Sequence, residues 1–198
     1  QYLACSQMGS LTIAIGNVFR EITQLNQQYE RCLSAIKQRF FLGKGQIIDI
    51  KDVPVQTENI NINSDKLKVR LRNLIFSGNI PDIQKLMDES LRFINRGFTE
   101  SSVRNYFLAM IINAKLLLED NGINIQETEG KIPDCWESIS KLQTLEEIIE
   151  CMTGFFIKLQ TFIIDNKRDK NAQVIKAVKD FIEEHYWQDI TLSAIANE

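Results

Sequence analysis

The chain has 198 residues, of which 44% are apolar and 25% charged, the proportions of an ordinary globular protein. Its net charge of -3 gives no global basic field for nucleic acid, and no apolar run approaches the roughly 18 residues of a membrane span. The four cysteines (Cys5, Cys32, Cys135 and Cys151) form no Cys-x-x-Cys or Cys/His cluster, so they read as buried reduced thiols of a cytoplasmic protein rather than metal ligands.

Ser10 to Gly16 is short, β-branched and closed by glycine, which predicts a strand. A helix follows, with Ile22, Leu25, Tyr29, Cys32, Leu33, Ile36 and Phe40 as its apolar face. Gly43-Lys44-Gly45 stops it, and Gln46 to Ile50 reads as a second strand, giving strand, helix, strand. Asp49 and Asp52 then read as solvated turn residues. The two glycines lack the rest of a phosphate-binding fingerprint.

Glu58 to Asn63 is polar enough for a linker, and Ser64 can cap the helix after it. Leu67, Leu71, Leu74 and Ile75 share one face of that helix, which Ser77-Gly78-Asn79 stops. Pro81 suits the first turn of a second helix with Ile83, Leu86, Met87, Leu91 and Ile94 inward, ended by Gly97. The most regular helix carries Val103, Tyr106, Phe107, Met110, Ile111, Ala114, Leu117 and Leu118, and stops at Gly122. Asp134-x-x-Glu137 resembles a capping box for a short helix buried through Trp136 and Ile139. Thr144-Leu145-Glu146-Glu147 is a clear capping box. It opens a helix with a wide apolar face: Leu145, Ile148, Ile149, Met152, Phe155, Phe156, Leu159, Phe162 and Ile163. A core helix is the plain reading. Phe155, Phe156, Phe162 and Ile163 also offer a self-association surface unless the preceding long helix covers them.

The hydrophilic run Asp165 to Asn171 is either a flexible linker or the solvated middle of one long helix. Beyond it Val174, Val178, Phe181, Ile182 and Tyr186 recur at helical spacing, with charged residues off the stripe. Thr191 can cap a further helix, with Ile190 and Ile195 at staple spacing. His185, the sole histidine, suits a helix end, where a cation is favoured by the dipole. From Asp165 to Glu198 five basic side chains face seven acidic ones, so this piece has little charge for phosphate.

Ile182-Glu183-Glu184-His185-Tyr186, Ile190-Thr191-Leu192 and Ile195-Ala196 resemble the start of the AraC-family DNA-binding domain. Thr12-Ile13-Ala14-Ile15-Gly16 is similar to a strand in the final third of a GGDEF-type nucleotide-cyclase domain. Tyr29, Cys32, Ala35, Ile36, Arg39, Phe40 and Gly43 resemble the degenerate cyclase-like domain of some AraC-type response regulators more closely. The order Leu71, Ser77-Gly78, Leu86, a long helix and Thr144-Leu145-Glu146-Glu147-Ile148 resembles the helical connector of those regulators.

The resemblance implies an internal portion of such a regulator, as does a chain starting at Gln1 and ending within a predicted helix. The expected fold is α+β, mainly α. Residues 1–56 would end a degenerate GGDEF-like domain, 57–170 would form the connector, and 171–198 would begin the DNA-binding domain. The implied function is signal coupling from an upstream sensor or receiver to the DNA-binding domain of a transcriptional regulator, either a bacterial-type two-component response regulator or an AraC regulator controlled by another sensor domain. Its partners would be DNA through the complete parent, a sensor histidine kinase through an absent receiver, and a second copy of itself. The recognition helix that reads base edges would lie beyond this chain. No catalytic residue, cofactor or metal is expected, because cyclase chemistry needs paired metal-binding carboxylates and a Gly-Gly turn, and neither occurs here. Two other functions fit the residues: a cyclase-derived nucleotide or small-ligand module, and a helical protein-docking domain.

Overall fold

A computed structural model describes residues 10–54, 60, 63–94, 97–128, 130–132 and 134–187. Expectations for the second C-terminal helix, its Thr191 cap and its Ile190/Ile195 staple lie outside these residues, as does most of the linker before Asn63.

The fold is mainly helical with one small parallel sheet. Strand β1 (Ile13–Ile15) pairs with β2 (Ile47–Asp49) in the register Ile13 to Ile47, Ala14 to Ile48 and Ile15 to Asp49. Helices α1 (Leu25–Lys37) and α2 (Arg39–Leu42) make the crossover that a parallel pair requires. Alternation along the strands turns Ala14 and Ile48 toward α1, where Ala35, Ile50, Cys32, Leu42 and Val53 complete a small core. The predicted apolar face of α1 is only partly used. Ile22, Leu25, Tyr29 and Leu33 stay exposed, because two three-residue strands are too short to cover a 13-residue helix.

The larger core is built by α3 (Ser64–Ser77), α4 (Ile80–Phe93), α5 (Glu100–Asp120), α6 (Cys135–Lys141) and α7 (Leu145–His185). Asn63, in extended backbone, caps α3 by accepting from the Lys66 amide at 3.0 Å. The cap therefore falls one residue before Ser64, which is already helical. Gly78 ends α3 in the left-handed region, at φ 70°, where a side chain would clash with its own backbone. Pro81 lies in the first turn of α4 as expected, and Thr99 caps α5 through the Ser102 amide. The α5 residues expected inward are buried, except that Tyr106 is half-buried with its hydroxyl 3.3 Å from Ser90 Oγ.

Two inward assignments need correction. Leu91 is exposed on α4, since Ile83, Leu86, Met87 and Ser90 already define the face turned to the core. Trp136 is also exposed. Cys135 and Ile139, one turn apart, are the buried pair of α6, and Trp136 falls about 100° off that line. Asp134 does cap α6, accepting from the Trp136 amide at 3.0 Å.

Candidate functional site

The longest element among the described residues is α7, whose 41 residues span about 60 Å at 1.5 Å each. It begins at the capping box read from the sequence. Thr144 Oγ1 accepts from the Glu147 amide at 3.2 Å, and Glu147 Oε2 accepts from the Thr144 amide at 3.3 Å. The same Oε2 also takes the Gln143 amide at 2.7 Å. Glu147 Oε1 meets Lys44 Nζ at 2.6 Å, which ties the loop before β2 to the start of α7.

The Lys44 hydrogen bond, followed by the Gln143 amide, holds the Glu147 carboxyl below the usual carboxylate range. A depressed pKa gives stability that is complete above the unfolded pKa and lost as pH falls through the folded one. Glu147→Gln keeps an oxygen for the cap and removes the charge. Its melting temperature should lie below wild type at neutral pH, with the gap closing in acid as the wild-type carboxyl protonates. A gap that stays constant throughout an acid titration would remove Lys44 from the account.

Beside this cap sits Arg104 of α5. Its guanidinium donates to the Leu142 carbonyl at 2.7 Å and to the Ile139 carbonyl at the end of α6. It also holds Glu100 Oε1 through Nε at 2.9 Å, and lies 4.9 Å from the Phe40 ring centroid of α2. One side chain thus joins α2, α5, α6 and the turn into α7.

In the first half of α7, Phe155, Phe156, Phe162 and Ile163 are all buried in the main core. Helices α3, α4 and α6 pack against α7, so the chain itself occupies the face that the sequence offered for self-association. Helix α2 also packs against α7, and Ile111 and Leu118 of α5 line one cleft with Phe155 and Leu159. Gln160 Nε2 donates to the Leu74 carbonyl at 2.6 Å, fixing α7 to the last turn of α3.

Past Ile164 the burial stops but the helix does not. The 165–171 run is continuous helix, so of the two readings the long helix holds. Val174, Ile175 and Ile182 are exposed at 61%, 57% and 41%, while Val178 and Phe181 are half-buried. His185 is the last residue of α7. Its Nδ1 lies 3.0 Å from the Phe181 carbonyl, and its ring stacks on Phe181 with centroids 4.5 Å apart.

The links from Lys44, Arg104 and Gln160 have no local sequence signal, since their partners lie 35 to 103 residues away. Among the described residues no group of three His, Cys, Asp or Glu side chains is arranged to hold a metal, and no helix is long and apolar enough to cross a membrane. Comparison with family models, curated proteins and solved structures finds no match to this chain.

Proposed function

We propose that this chain is the signal-coupling portion of an AraC-type transcriptional regulator of the two-component kind, with α7 as the coupling rod. The observation that carries the reading is the continuity of α7. One helix is anchored at Thr144 and Glu147, packed through Ile163, and carried without a break to the Ile182 to Tyr186 motif. A rigid helix transmits rotation or displacement of the bundle, whereas a flexible linker would absorb it.

Two exposed apolar surfaces give further support, each lying where the resemblance puts part of a larger domain. Ile13, Ile15 and Ile47 are exposed on one side of the small sheet, and Val174, Ile175 and Ile182 are exposed on α7. On this reading the chain is not an enzyme. It acts in the cytoplasm, meets DNA through the complete parent, and receives its input from a histidine kinase through a receiver. Pairing of two regulators would use contacts other than the buried Phe155, Phe156, Phe162 and Ile163.

Asn171→Pro in the complete parent protein tests the rod. Proline inside a helix costs about 3 kcal/mol and kinks it. Here the cost falls on an exposed stretch beyond the core, so the bundle should stay folded by circular dichroism. The expected result is promoter binding that no longer responds to the input signal. Full regulation in a protein whose helix is demonstrably broken at this point would sink the reading.

A further inference from the structure

Cys135 opens α6, and Cys151 lies in the second turn of α7. Their Sγ atoms are 2.8 Å apart, with the Cys151 thiol donating to Cys135 Sγ. The Cys135 thiol in turn reaches the Cys151 carbonyl at 3.5 Å. Cys135 is buried and Cys151 half-buried. A disulfide needs sulfurs about 2.05 Å apart. Less than an ångström of closure separates this contact from a bond. The residues are 16 apart in sequence, on helices that already pack together, so closure would leave both helices in place.

The two thiols differ in a way that assigns an order. Burial, then the contact with Cys151, raises the Cys135 thiol well above the ordinary range, and this makes it a poor first nucleophile. Cys151 is the less buried residue of the two. A cleft of about 300 Å³, lined in part by Lys115, Asp134, Cys135 and Phe155, reaches the pair at Cys135.

We propose that Cys135 and Cys151 are a redox-active dithiol, which peroxide converts reversibly to an intramolecular disulfide that clamps α6 to α7. Cys151 loses its proton and attacks one peroxide oxygen. The S–O bond forms as the O–O bond breaks, and the departing oxygen gains a proton to leave as water. Cys135 then attacks the sulfenic sulfur: the S–S bond forms, the S–O bond breaks, and the hydroxyl leaves with the Cys135 proton as a second water. Two thiols lose two protons and two electrons, and one hydrogen peroxide takes them up to become two waters. An external dithiol restores both thiols by exchange. A pair that rests reduced and closes on oxidation suits a reducing compartment, where lasting disulfides are rare. The inference is independent of the coupling function and survives if that reading fails.

The test treats the folded, full 198-residue chain with hydrogen peroxide, blocks free thiols by alkylation, and maps peptides without reduction. The expected product is a Cys135–Cys151 cross-linked peptide that dithiothreitol abolishes, with a melting temperature that rises on oxidation and returns on reduction. Cys32→Ser should leave the product intact. Cys135→Ser should strand Cys151 as a sulfenic acid that dimedone captures, and Cys151→Ser should leave Cys135 unoxidised over the same time. The proposal is overturned if both thiols remain alkylatable after peroxide, or if bridges to Cys5, Cys32 or a second chain form in preference. The wild-type map decides alone, so a variant that fails to fold cannot blur the outcome.

Discussion

Phe156→Ala is expected to destabilise the chain by about 3–5 kcal/mol, the range for truncating a fully buried phenylalanine. Phe156 is 0% exposed and lies edge-on to Phe155, with ring centroids 5.2 Å apart at 75°. It sits in the half of α7 that α3, α4 and α6 enclose, so the cavity left behind has walls on several helices and cannot close by moving one. Urea titration should show a lower midpoint with an unchanged slope. The companion is Phe181→Ala, on the part of the same helix beyond the core, where the loss should stay within about 1 kcal/mol. Equal losses at the two sites would mean that the second half of α7 is as tightly enclosed as the first. Phe156→Glu is a different experiment. It buries a charge without a partner and is expected not to fold, so any loss of association in that variant would report unfolding.

Much of the helical architecture is readable from spacing and caps. The stripe from Val103 to Leu118 needs only periodicity to be recognised, and Thr144 with Glu147 needs only the capping rule. Both signals are local, and local physics decides them. The join at Asp165 to Asn171 fits two readings because its residues are hydrophilic, and hydrophilic residues suit a linker and a solvated helix equally. The discriminating fact is negative: the run contains neither glycine nor proline, so nothing in it breaks the hydrogen-bond ladder.

Partnership across distance was not readable. Trp136 looks like the natural anchor of α6 by size, yet the register that buries Ile139 also buries Cys135 and turns Trp136 to solvent. The apolar face of α1 is real in the sequence, but its cover depends on how much sheet lies beneath it. Phe155 and Phe162 raise the same question in reverse: a broad apolar stripe does not reveal how many neighbours share its helix, and here several helices pack against α7. The contact between Cys135 and Cys151 depends on the angle at which the chain turns from α6 into α7, which no spacing rule encodes.

Arg104→Ala should cost about 2–3 kcal/mol, the upper part of the range for hydrogen bonds made by a charged group. The side chain is 17% exposed, and its removal strips a donor from two carbonyls and a partner from Glu100 at once. Those carbonyls belong to Ile139 and Leu142, where α6 ends and the chain turns toward the Thr144 cap, so the loss should loosen that junction first. Arg104→Lys is the sharper comparison. An ammonium keeps the charge but cannot hold a carboxylate and two carbonyls in one plane while stacking over the Phe40 ring, so it should recover less than half of the loss. A double-mutant cycle with Glu100→Gln separates the ion pair from the carbonyl contacts. The ion pair is partly exposed and joins residues one turn apart, so its coupling should be well under half of the total. Full rescue by lysine, or a coupling energy that accounts for the whole effect, would show that Arg104 serves only as a charge for Glu100. Partial rescue, with faster amide exchange at Leu142 and Gln143, is the outcome expected of a side chain that fastens the end of α6 to the start of α7.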